Sequence, residues 1–532
     1  MATKRASRQA SSKRRDVPAE TRVAGPPETG PATAGHYLPL FVLAGLVILV
    51  AVAIAVGVRV ISRRSVDRVP APSAAAGLSP AVTEHLRGRY AAAAQAPGDI
   101  AAVGPLCIAY HADMLFDLAD RCYVVASELE SSNWRWQYFR TMMLTERGGG
   151  DELVAMLRDV ITQAPQFGPA WLRLADAEFK AANYDAAAQA WRHVRELPEP
   201  AAEPGDPPHV VEFPMRAYAT LGLARVALVK NDADRARDLL EHLTMATPNF
   251  GPGFRLLGDA YRALGGAADA DRAVYRAGRL LAYSPYGDPM MDVLARESRN
   301  STLLLRLASE ATLSVNAPWS EYLARRAAEF DPGNPEAVLK LARVLRTVER
   351  NDEALALFQK YRELVPGDVQ VLAHIGSCLS AMGRYEEAET YFRQALARLD
   401  DPVTHYNMGL LLSVTGRLDA AIAEYQRALE RDPLQVDARG NLAIALVRQG
   451  KLDRAAKELT TLIEQDPDNA SAHTNLGLVL LQQGHREQAR AQLQDALRLD
   501  PTLAQAAEAL RSLNARTKDS VPGTDQGPRT KY

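Results

Sequence analysis

PVTHYNMGLLLSVTGRLDAAIAEYQRALERDPLQ, residues 402–435, is followed by two more segments of the same length, residues 436–469 and 470–503, that keep its landmarks. Gly416, Gly450 and Gly484 are 34 residues apart, and the same spacing separates Pro433, Pro467 and Pro501, Ala421, Ala455 and Ala489, and Asn407, Asn441 and Asn475. Within each unit, apolar residues recur at three- and four-residue intervals over two helix-length windows, for example Met408, Leu411 and Leu412, then Ala421, Ile422, Tyr425, Ala428 and Leu429. The spacing predicts one helix hairpin per unit. Glycine ends the first helix by taking the left-handed conformation, and the Asp-Pro step ends the second because the residue before proline is pushed out of helical geometry. Small residues such as Gly409 and Ala421 fall where the two helices cross. A single hairpin cannot bury its apolar side, so the units must stack.

This pattern resembles the tetratricopeptide repeat, a helix-turn-helix unit of about 34 residues. The residues that carry the resemblance are Tyr406-Asn407-Met408-Gly409, Gly416-Arg417-Leu418-Asp419-Ala420-Ala421, Tyr425-Gln426-Arg427-Ala428-Leu429 and Asp432-Pro433. The next two units depart mildly, with Ala443 in place of the glycine and Leu462 in place of the second-helix alanine. The resemblance implies an all-α, right-handed superhelical solenoid whose first helices line a concave groove and whose second helices face outward. It also implies a scaffold for protein or peptide partners. Bacterial membrane-anchored members of the family serve envelope assembly or secretion, and the alternative is a chaperone-like assembly factor, as in cytochrome c maturation or polysaccharide export.

Outward from these units, about eleven repeats are expected. Residues 301–503 form the regular array and residues 81–300 hold divergent repeats, broken by a proline-rich insertion at 197–214 and by a short extra helix around 290–296. Residues 504–516 read as a capping helix and 517–532 as a disordered polar tail. At the other end, 1–36 is a disordered tail carrying Lys4, Arg5, Arg8, Lys13, Arg14, Arg15 and Arg22. It leads into LPLFVLAGLVILVAVAIAVGV, residues 38–58, which contains no charge and is long enough for about 30 Å of helix. One transmembrane helix is expected over 37–61, with a linker over 62–80. A cleaved signal peptide fits less well, because its apolar core runs only about 7–15 residues and Arg59, Arg63, Arg64 and Arg68 follow the run. The basic tail predicts a single-pass inner (cytoplasmic) membrane protein with its repeats on the periplasmic, extracytoplasmic side.

Composition narrows the chemistry. Of the 532 residues 24% are charged and the net charge is −2, so no basic field invites nucleic acid, and 6% aromatic content suits small-residue helix packing. Cys107, Cys122 and Cys378 are too few for a disulfide scaffold or a paired CxxC zinc framework. Cys107 and His111 are spaced to offer two ligands from one helix, but nothing nearby completes a metal site. Buried structural cysteines are the expectation, and a Cys107 to Cys122 disulfide is the alternative. With no nucleophile elbow, phosphate loop or HExxH helix in the sequence, neither catalysis nor a metal or other cofactor is expected, and an enzyme with an unrecognised site in residues 100–300 is the last alternative.

The candidate site is the groove. Asn407, Asn441 and Asn475 recur on successive first helices, with His374 in their column one unit earlier, and Tyr406, Leu410, Val414, Ile444, Val447, Leu478 and Leu481 lie beside them. Such a file resembles the asparagine ladder in the tetratricopeptide superhelix of O-linked N-acetylglucosamine transferase, whose catalytic domain has no counterpart here. Asparagine carries both a donor and an acceptor and can pair with a peptide backbone whatever its side chains. The competing reading is that these amides bond within the stack. His405 and His473, also on first helices, are expected to face the groove or to pack.

Overall fold

The computed structural model describes residues 68–72, 77–199, 207, 213–280, 285–313 and 316–518, all within one compact unit, Val66–Tyr532. The basic tail, the expected span at 38–58, most of the linker, most of the proline-rich insertion and residues 519–532 lie outside the described residues. Among those described, no helix is long and apolar enough to cross a membrane.

The described residues form twenty-five helices and no strand. A lead-in helix α1 (Pro80–Gln95) precedes five hairpins: α2 (Ile100–Ala112) with α3 (Phe116–Leu129), α4 (Trp134–Glu146) with α5 (Gly150–Gln163), α6 (Gly168–Lys180) with α7 (Tyr184–Glu196), α8 (Met215–Val229) with α9 (Ala233–Ala246), and α10 (Gly251–Ala263) with α11 (Ala267–Arg279). The short helix α12 (Pro289–Glu297) then interrupts the series. Six more hairpins follow: α13 (Ser301–Leu313) with α14 (Ala317–Phe330), α15 (Pro335–Thr347) with α16 (Asn351–Leu364), α17 (Gln370–Ala381) with α18 (Tyr385–Leu396), α19 (Pro402–Val414) with α20 (Leu418–Arg431), α21 (Val436–Arg448) with α22 (Leu452–Gln465), and α23 (Ala470–Gln482) with α24 (Arg486–Leu499). Helix α25 (Ala504–Lys518) closes the stack.

The local physics is visible in the α19–α20 hairpin. Gly416 ends the first helix at φ 77°, where a side chain would be strained. In four other hairpins Met114, Ala182, Asn231 and Glu349 hold the same kind of turn at φ 60–64° without that relief. A Cβ on Gly409 would sit 2.6 Å from the Tyr425 ring, so only glycine lets the helices approach this closely. Met408, Leu411 and Leu412 meet Ala421, Ile422, Tyr425 and Ala428 in the core, all buried. Each large apolar side chain there contributes about 1.5–3 kcal/mol. Asp432, held extended before Pro433, terminates α20.

Two features depart from expectation. Cys107 and Cys122 are joined as a disulfide, not held as free buried thiols. They stand on facing sides of α2 and α3 with Cα atoms 5.1 Å apart, a separation the bond fits. Cys378 is free and buried. The second departure is the path of residues 285–300, which leave the stacking direction and run back past α8, α6, α4, α2 and α1. Met290 and Leu294 enter the core of the first hairpins, while Ala295 enters that of the later ones.

Candidate functional site

In seven of the hairpins the first helix carries a position fourteen residues ahead of a small buried residue of the second. Arg173 stands there before Ala187, Arg306 before Ser320, Lys340 before Ala354, His374 before Ala388, and Asn407, Asn441 and Asn475 before Ala421, Ala455 and Ala489. The position marks the first-helix face turned away from the partner helix. Residues 285–300 show what this face can do, because over the first four hairpins they cover it.

The covering segment is held helix by helix. The Pro285 carbonyl accepts from Tyr218 Oη on α8 at 2.9 Å, and the Tyr286 ring meets the Tyr218 ring edge-on. Asp288, 5% exposed, accepts from Tyr138 Oη on α4 at 2.6 Å and from Arg173 on α6 at 2.9 Å, and its other oxygen caps α12 at Met290 N. Burial works against the Arg173 charge, yet Tyr138, Tyr286 and Asp288 around it hold its pKa above the usual arginine value. At the far end Glu297 receives two hydrogen bonds from Arg89 of α1, at 2.7 and 2.9 Å. Ser298 Oγ donates to the Ala112 carbonyl at the end of α2, and Arg299 N donates to Asp113. A charged, hydrogen-bonded segment thus lies along the first helices, its chain direction opposed to the order of the hairpins.

Over residues 301–503 no described segment lies along this face as residues 285–300 do; Arg276 and Arg279 of α11 reach only the turn after α22, at Asp468 and Asp466, and the character of the face changes along the array. Arg306 on α13 reaches Glu146 of α4 at 3.6 Å and Glu310 at 3.8 Å. On α15, Lys340 Nζ donates to Thr312 Oγ1 at 3.0 Å, and burial followed by the Arg343 charge lowers its pKa. His374 on α17 stacks on Phe358 at 5.1 Å, and burial, with Arg346 and Arg343 adding to it, pushes its pKa down to about 4. The imidazole is therefore neutral at pH 7. From α19 onward the face is amide and apolar: Val414 is 68% and Ile444 44% exposed, while Leu410, Val447 and Leu478 are half-buried.

The asparagines do not behave alike. All three are half-buried, but the Asn441 amide donates to Tyr406 Oη at 3.3 Å and to the Asp437 carbonyl at 3.0 Å, inside the stack. Asn407 and Asn475 make no side-chain hydrogen bond among the described residues. Leu481 packs with Leu493 and Leu513 under α25 rather than beside the asparagines. His405 and His473 are packing groups. His405 lies between Glu424 at 2.6 Å and Asp400 at 2.8 Å, and His473 between Gln492 at 2.7 Å and the Pro467 carbonyl at 3.0 Å. Each clamps a first helix to the residue nineteen further on, as Arg439 does to Glu458. Sequence reasoning missed Lys340 and Arg343, although Lys340 sits 34 residues before His374 and was open to the same column argument. It missed Tyr138, Arg173 and Asp288 because no local pattern joins residues 115 to 150 apart.

Family models described as tetratricopeptide repeat match residues 335–401 in one case and 376–435, 406–470, 441–504 and 474–513 in another. Residues 335–513 therefore carry tetratricopeptide repeats. Anaphase-promoting complex subunit 3 of Schizosaccharomyces pombe is 32% identical over 137 residues, 25% of this chain and 19% of that protein. An uncharacterized protein, y4yS of Sinorhizobium fredii, is 29% identical over 87 residues, 16% of this chain and 48% of that one. The chain thus spans less than half the length of either curated relative. Among solved structures, YrrB, a tetratricopeptide protein described as having an unusual peptide-binding site, is similar at 26% identity over 35% of this chain and 97% of its own, with a TM-score of 0.30.

Proposed function

We propose that this chain is a membrane-anchored, non-catalytic scaffold that holds an extended polypeptide against the first helices of residues 301–503. One observation carries the reading: the face that residues 285–300 cover over the first hairpins is uncovered in the later ones, and there it presents exposed Val414 and Ile444 beside half-buried amides. Apolar side chains exposed in a row along a tetratricopeptide array are what an extended client needs for its own side chains. The uncharged run at 38–58 supplies the anchor. The Cys107–Cys122 disulfide supports repeats that sit in an oxidising, extracytoplasmic compartment, where such bonds persist, and hence a role in envelope assembly or secretion.

The test is site-specific photo-crosslinking in cells that make the full chain. A photoreactive residue at Val414 or Ile444 should yield an adduct with a polypeptide, and one at Met245, 80% exposed on α9, should not. Adducts at Met245 alone, or at none of the three, would remove the groove from function. Protease added to intact spheroplasts should digest the repeats, and survival until the membrane is permeabilised would place them inside.

A further inference from the structure

The chain holds its own example of a ligand lying on first helices, and the example has a chemical order and a direction. From Pro285 on α8 to Ser298 on α2 the segment runs from later hairpins to earlier ones. A buried carboxylate of the segment, Asp288, lands on Arg173, the cation at the position fourteen residues ahead of Ala187. In the uncovered half the same position is cationic at Lys340, with Arg343 three residues on along α15. Among the described residues neither side chain has a carboxylate within ion-pair distance, unlike Arg306, which is already matched by Glu146 and Glu310. Beside them Arg346 Nε is buried without a hydrogen-bond partner. Two hairpins further on, the lining turns apolar at Leu410, then at Ile444 and Leu478.

We propose that the client lies in this half in the same direction as residues 285–300 lie in the first. Its apolar side chains sit over Leu410, Ile444 and Leu478, and a carboxylate nearer its C-terminus sits on Lys340 and Arg343. This rests on the peptide-groove reading and deepens it by fixing the order of chemistry along the client. Adjacent first helices are about 10 Å apart and an extended chain advances about 3.3 Å per residue. Two to three hairpins from Lys340 to Leu410 and Ile444 thus set the acidic residue about six to nine positions after the apolar ones. The cations do not need a terminal carboxylate, since Asp288 meets Arg173 from mid-chain.

A phage-displayed library of random 16-residue peptides, selected on the full-length chain in lipid nanodiscs, tests the order directly. Parallel selections use K340E/R343E and I444D, with circular dichroism to confirm folding, and K340A/R343A stands in if the glutamate pair melts lower. The expected winners carry an apolar cluster followed, six to nine residues later, by Asp or Glu. The Lys340 and Arg343 variant should keep the apolar enrichment and lose the acidic one, and I444D should do the reverse. Resynthesis of one winner with its two blocks exchanged should weaken binding at least tenfold. Apolar enrichment with no acidic position, or with the acid ahead of the apolar block, would overturn the order while leaving the groove reading intact. Winners indifferent to all three variants would overturn both.

Discussion

Residues 100–280 and 301–503 are built from the same hairpin, but they differ in what their first helices face. In the earlier half Arg173 is buried, paired to Asp288 and bridged to Tyr138; in the later half Lys340, at the equivalent position, meets a hydroxyl and, among the described residues, no carboxylate. The earlier half is covered by its own chain over four hairpins and clipped by Cys107 and Cys122, while the later half leaves Val414 and Ile444 in solvent. Regular repeats go with the open face. Where the face is covered, its side chains answer to one fixed segment rather than to solvent.

The sharpest way to break this contrast is to remove the buried carboxylate. Asp288→Ala leaves Arg173 buried without its partner and should cost about 3–5 kcal/mol, whereas Lys340→Ala should stay within about 0.5 kcal/mol. Urea titrations followed by circular dichroism compare the two, and equal costs would erase the distinction. Next in size is the disulfide. Reduction should lower stability by about 2–4 kcal/mol, with new proteolytic cuts confined to the first hairpins; cuts appearing beyond residue 301 would mean the halves unfold as one.

The third effect belongs to the open half. His374 has a folded pKa near 4, below its ordinary value of 6.5, so between those limits the unfolded chain binds a proton that the folded chain does not. Stability should therefore fall as pH drops from 6.5 to about 4, by roughly 1–3 kcal/mol after allowing for partial solvation. His374→Gln should flatten that limb in a pH series of urea midpoints; an unchanged slope would show that the imidazole is not desolvated. The smallest effect separates the asparagines. Asn407→Ala with Asn475→Ala should weaken client binding by about 1–2 kcal/mol and leave melting unchanged, while Asn441→Ala should cost about 0.5–1.5 kcal/mol of stability and spare binding. Calorimetry with a selected peptide reads the first, and thermal melts the second.

How much was legible follows from the range of each interaction. The hairpins, their glycine turns and the close approach at Gly409 are local or one-repeat relations, and the 34-residue columns expose them. The column also placed His374 with the asparagines, and extending it one unit would have reached Lys340. It could not tell Asn441 from Asn407, because the difference is a tyrosine on the neighbouring helix. Cys107 and Cys122 face each other only once α2 and α3 have packed, and three cysteines give no spacing rule to say so. The reversed path of residues 285–300 left one sequence trace, prolines and a short amphipathic run. That trace indicates an interruption and says nothing about where the interruption goes.

The position of that segment in the chain matters for how the protein is made. Tyr138 and Asp288 are 150 residues apart, and the earlier hairpins are complete before Asp288 exists. Arg173 precedes Asp288 by 115 residues, so at a synthesis rate of about 5–20 residues per second it waits roughly 6 to 23 seconds for the carboxylate that caps it. For that interval the nascent chain is a receptor for which the finished molecule has no vacancy.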